Sequence, residues 1–202
     1  IDGGFKRLLD LFRQSQHREM LRRAISYEVA SRQVGGGLET HYILCHAGLE
    51  AIANELSGHD PTIPRYESAQ WKLLRRSLEG LIDSFGQTHG LQNSLIEYTK
   101  RKLPELGRLA IADSILHYSN TLGIRVEDLW PSSIGFEKGL RTALRIRNSL
   151  MHRAVIVDPV SMYENLIRLQ VLTERFILKL LGWPEGKVWI WSTQTLKRVN
   201  KE

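Results

Sequence analysis

Residues 136–159, FEKGLRTALRIRNSLMHRAVIVDP, hold one imidazole, His152, able to give and take a proton near neutral pH. Five residues before it stands Arg147, a cation that cannot lose its proton, and beside that Asn148, an amide one helical turn ahead of the histidine. Lys138, Arg141, Arg145, Arg147 and Arg153 crowd the same stretch, with no acidic residue between Glu137 and Asp158. A fixed cation, a titratable imidazole, an amide and a basic surround are the ingredients of a site for a phosphodiester.

The periodicity predicts a helix to carry them. At about 100° per residue, Phe136, Leu140, Ala143, Leu144, Leu150 and Met151 share an apolar arc, and Lys138, Arg141, Arg145, Asn148 and His152 lie opposite. Arg147 breaks the pattern by falling near the middle of the apolar arc, where a guanidinium must find a carboxylate or reach out on its stem. The expected partner is Glu50. It lies in an almost wholly apolar helix of about residues 39–56, flanked on its own face by Ile43, Ala47, Ala53 and Asn54, and it too reads as buried. Such a pair holds two helices in register, aims Arg147 at a substrate, or does both.

Arg147-Asn148-Ser149-Leu150-Met151-His152 resembles the Arg-Asn-x-x-x-His signature of HEPN domains, small all-helical proteins many of which are metal-independent endoribonucleases. HYILCHAGLEAIANEL resembles the helix behind that motif in the abortive-infection (ApeA-like) branch of the family, and the likeness spans roughly residues 5–182. The resemblance implies an all-α helical bundle of HEPN type, RNA as substrate, a homodimer with two motifs facing one cleft, and an anti-phage, RNA-degrading role. Metal-free cleavage needs a base for the 2′-hydroxyl proton, an acid for the departing 5′-oxygen, and positive charge about the phosphorane. One imidazole cannot easily serve both ends of an in-line displacement, and the chain offers no second motif, so the chemistry also leads to a dimer. His152 is then base or acid, Arg147 neutralises the oxyanion, and Asn148 orients the imidazole or meets the phosphate. Arg141, Arg145 and Arg153 hold the flanking RNA backbone. The competing readings are a non-catalytic RNA- or nucleotide-binding module, a dimerisation and regulatory module for a preceding domain, and a toxin silenced by a nucleotidyltransferase antitoxin.

The rest of the chain reads as scaffold. At 202 residues, with a single cysteine and a net charge of +6, it suits one helical domain in a reducing, cytoplasmic setting with a polyanionic partner. No apolar run approaches the roughly 20 residues of a membrane span. The chain opens on Ile1, so a preceding sensor domain is expected. Residues 4–31 read as a helix or a pair with Phe5, Leu8, Leu9, Phe12, Met20, Leu21, Ile25 and Val29 inward. Arg13, Arg18, Arg22 and Arg23 read as solvated surface or a second RNA-facing strip. Further helices are expected at 67–85 (Trp71, Leu74, Leu78, Leu81, Ile82 and Phe85 inward), 91–102 (stopped by Pro104), 106–121 and 160–181. His41, Cys45 and His46 lack a further pair to complete a metal set and read as interface filling; neither metal nor cofactor is expected. The tail, 182–202, holds an alternating segment, Val188–Trp191, with Trp189 and Trp191 packed on the body or stacked on bases.

Overall fold

The computed structural model describes residues 2–33, 35–57, 68–106, 110–153 and 158–183. All regular structure among them is helical: α1 (Asp2–Gln14), α2 (Arg18–Ala30), α3 (Leu38–Leu56), α4 (Ser68–His89), α5 (Asn93–Leu106), α6 (Ile111–Thr121), α7 (Phe136–Arg153) and α8 (Pro159–Leu180). No described helix is long and apolar enough to cross a membrane. The alternating segment at 188–191, its two tryptophans and the rest of the tail beyond Trp183 lie outside the described residues.

Packing groups the chain into two compact units, residues 57–110 and the remainder. In the larger, α3 is the hub, touching α2, α6, α7 and α8. Its all-round apolar composition explains this, since Tyr42, Cys45, Leu49, Ile52 and Ala53 are all buried in one core shared with those neighbours. Gly48 lets α2 come close: a Cβ there would already touch the Ala24 carbonyl and the Tyr27 side chain. Two buried hydroxyls tie α3 to its other neighbours. Tyr42 donates to the Ala143 carbonyl of α7 at 2.7 Å, and Ser114 of α6 donates to the Ala53 carbonyl at 3.2 Å.

The first segment is a pair, α1 and α2, broken at residues 15–17, and its inward face differs from expectation at the end. Val29 is 52% exposed and Glu28 is buried. Glu28 can point inward because Arg32 meets it at 2.6 Å while also reaching Glu174 of α8 at 2.9 Å. α8 begins as its sequence suggests: Pro159 sits at the first position and the Asp158 carboxylate accepts from the Val160 and Ser161 amides.

The segment before α7 is pinned to α8. Arg175 grips Asp128 with two parallel bonds of 2.6 and 2.9 Å, and the Trp130 indole N–H donates to Asn165 Oδ1 at 3.1 Å. Trp130 lies flat against α7 at Gly139, where any Cβ would overlap the indole. Gly139→Ala should therefore destabilise. The propensity gain of about 1 kcal/mol is outweighed by overpacking of about 1–3 kcal/mol, because Trp130 cannot retreat without losing Asn165. A lowered urea midpoint at constant slope is the expected result; a raised midpoint would show that the indole yields.

The smaller unit is a helical hairpin. Gly90, at φ 63°, turns α4 into α5, Ile96 fills the space over Gly86, and Lys100 meets Asp83 at 2.5 Å. α5 runs to Leu106, through Pro104 rather than stopping before it. Pro104 stands in the last turn, where its missing N–H costs a single bond near a fraying end. Leu74, Leu81 and Phe85, expected inward, are exposed, because α5 covers only one narrow stripe of α4.

Candidate functional site

α7 faces the core with Leu140, Ala143, Leu144 and Ile146, all buried. The rotation differs slightly from the sequence reading: Ile146 points in, and Met151, placed on the apolar arc, is 53% exposed. Arg147 accordingly sits at the edge of the buried face, and its side chain is 29% exposed. Glu50 is likewise partly open, at 37%. Neither is the fully buried charge that periodicity suggested. Both lie on the border where α3 and α7 part, which lets each keep some water while facing the other.

The crossing of α3 and α7 at the Tyr42–Ala143 bond brings the expected pair together, with Arg147 Nη2 3.9 Å from Glu50 Oε2. At that separation the contact is electrostatic rather than a hydrogen bond. It leaves most of the guanidinium's five donors for other acceptors. One of them, Nη1, donates to Asn148 Oδ1 at 3.2 Å, so the arginine and the exposed amide act as a unit. His152 occupies the next turn of α7, four residues past Asn148. The side chains of His152 and Arg153 lie outside the described residues.

The structure gives a place beside the pair to a residue that the sequence reads as interface filling. His46, one turn before Glu50 on α3, is buried, with Nδ1 3.7 Å from the same Glu50 Oε2 that faces Arg147. Burial, reinforced by the Arg147 charge, pushes its pKa down to about 4, so it is a neutral imidazole at physiological pH. A neutral ring can share a carboxylate with an arginine without repelling it. The four-residue spacing of His46 and Glu50 was the available signal, obscured by the metal-like pattern of His41 and Cys45. Those two point elsewhere. His41 Nε2 lies 2.9 Å from the Gly36 carbonyl, and the buried Cys45 thiol faces Glu28 at 4.0 Å, its pKa raised by burial and by that carboxylate. Among the described residues no group of three or more His, Cys, Asp or Glu could hold a metal ion.

The basic residues read as backbone contacts are not equivalent. Arg141 is engaged by Asp113 of α6 at 2.6 Å and by Glu137 at 3.0 Å. Asp113 lies 28 residues upstream, so no local spacing could have announced it. Among the described residues Arg145 donates to the Arg141 carbonyl and to Thr142 Oγ1, and it remains exposed. Arg145 and Lys138, together with Ile134, Gly135, Phe136, Glu137 and Arg141, line an open hollow of about 460 Å³ at the start of α7.

Comparison of the chain with protein-family models, with curated proteins and with solved structures returned no significant match. The functional reading rests on the residues themselves.

Proposed function

We propose that the chain is a metal-independent endoribonuclease of HEPN type, an anti-phage abortive-infection effector that cuts RNA at a site shared between two copies. The observation that carries the reading is the Arg147–Asn148 unit, braced by Glu50 and set one turn ahead of His152 on a basic helix. One His152 removes the 2′-hydroxyl proton and the 2′-oxygen attacks phosphorus. The bond to the 5′-oxygen breaks, and that oxygen takes a proton from the His152 of the second copy. Arg147 balances the charge gathered on the phosphorane oxygens, and Asn148 holds the phosphate or the ring. The products are a 2′,3′-cyclic phosphate and a 5′-hydroxyl.

The exposed apolar side chains near the motif favour the dimer. Met151 closes α7 at 53% exposure, and Val160 and Tyr163 open α8 at 65% and 50%. Apolar surface at these two helix ends is what a second copy would cover to bring two motifs face to face. The test is to incubate the protein with RNA in EDTA and to map the ends. Cyclic phosphate ends in chelator are expected. Cleavage that requires a divalent metal, or that leaves 3′-hydroxyl ends, would refute the mechanism, and RNA bound but left intact would make this a binding module.

A further inference from the structure

The hollow is lined from Ile134 to Arg145, and even Arg145 stands seven residues, about 10 Å along the helix, before His152, too far for the hollow to hold the scissile phosphate. Its volume, about 460 Å³, falls within the range of small-ligand sites. Its lining is of two kinds. Ile134, 42% exposed, and Phe136, seated against Trp130 at 5.7 Å between ring centroids, supply an apolar surface. Lys138, Arg141 and Arg145 supply positive charge; the Glu137 carboxylate also lines the hollow but is engaged by Arg141, which Asp113 holds as well. No carboxylate among the described residues pairs with Lys138 or Arg145, so these two present charge that is still available. An apolar face beside two uncommitted cations matches the chemistry of a nucleotide, a flat base joined to a phosphate.

The register of α7 links the hollow to the motif. Lys138, Arg145 and His152 recur every seven residues, which keeps them on nearly one line of the helix, each about 10 Å from the next. We propose that the hollow is a subsite for one nucleotide of a single-stranded RNA substrate, with the base over Ile134 and Phe136 and the phosphate on Lys138 and Arg145. This rests on the ribonuclease reading above and deepens it. A base that enters such a hollow must be unpaired and unstacked, so the substrate is single-stranded where it lies along α7. A dinucleotide centred on the cut bond is too short to reach the hollow; an octanucleotide is long enough.

The experiment uses the full chain carrying His152→Ala, so that RNA binds without being cut, with and without Lys138→Glu and Arg145→Glu. Affinities for a fluorescent dinucleotide, an octanucleotide and a mononucleotide are measured by anisotropy across a salt series. The expected result is a loss of about tenfold or more for the octanucleotide and little change for the dinucleotide. The salt slope for the octanucleotide should fall by about 1.4 on losing two phosphate contacts. Equal weakening of both lengths would mean diffuse charge and would overturn the subsite, as would unchanged affinity for the octanucleotide. If the wild-type chain neither cuts nor binds any RNA, the ribonuclease reading fails on its own. The hollow then stands as a free-nucleotide site if the mononucleotide binds and the charge swaps abolish that binding, and falls if it does not bind.

Discussion

Replacing His152 with alanine should, on the proposed two-histidine mechanism, lower RNA cleavage by about 10⁴-fold or more, since general acid and general base each contribute about 10²–10⁴ and the substitution would remove both. The more telling result comes from mixing. If each cut needs one imidazole from each copy, a mixed dimer of wild-type and His152→Ala chains holds no complete site. Activity should then fall as the square of the wild-type fraction when subunits are exchanged at constant total protein. If one protomer carried the whole reaction, activity would fall in proportion to that fraction. The measurement is cleavage of a labelled RNA in EDTA after subunits have been unfolded and refolded together, with dimer content checked by light scattering. Linear dependence would remove the shared site and leave the motif. Undiminished cleavage by the alanine variant alone would remove His152 from the chemistry altogether.

The sequence and the structure agree best where one local pattern decides the outcome. The apolar run of α3 placed that helix at the centre, and the opposed faces of α7 placed its basic residues outward. Pairing Glu50 with Arg147 was also accessible, because a carboxylate in an apolar helix and an arginine on an apolar arc each demand a partner. Their depth was not. Periodicity gives the direction a side chain points from its own axis, and where the helix surface meets solvent depends on how neighbours cross it. The same limit explains Met151, which the helical period places on the apolar arc and which is 53% exposed near the end of α7. Glu28 and Val29 show the converse. Hydropathy alone turns Val29 inward, but Arg32 and Glu174, the latter arriving from the far end of the chain, make a buried Glu28 affordable. The Arg141–Asp113 contact was illegible for the same reason, as its two halves belong to different helices.

Those buried groups make stability depend on pH in two opposing ways. Glu28 has its pKa pushed up from 4.5 to about 7, chiefly by burial, with Arg32 offsetting only part of that. Between those values the folded chain binds more protons than the unfolded one, so stability falls as pH rises from about 4.5 to about 7. His46 has its pKa pushed down from 6.5 to about 4, by burial first and by Arg147 second, with Glu50 the carboxylate facing it. Here the unfolded chain binds more protons, so stability rises as pH climbs from about 4 to 6.5. Each contribution is worth about 3 kcal/mol, and over the shared window the two nearly cancel. The wild-type chain should look almost indifferent to pH between about 4.5 and 6.5, with each dependence concealed by the other. Glu28→Gln should expose the histidine: relative to wild type it gains about 3 kcal/mol on going from pH 4.5 to pH 7.5, because only the wild type must then hold a buried carboxylate charged. His46→Gln should do the reverse, gaining a similar amount relative to wild type on going from pH 7 to pH 4, because only the wild type must then protonate a buried ring beside Arg147. Urea titrations of all three proteins across this range give the differences directly. A constant offset between either variant and wild type would mean that the group titrates normally in the folded chain, and that its burial is relieved by water or by a partner closer than Arg32 or Glu50.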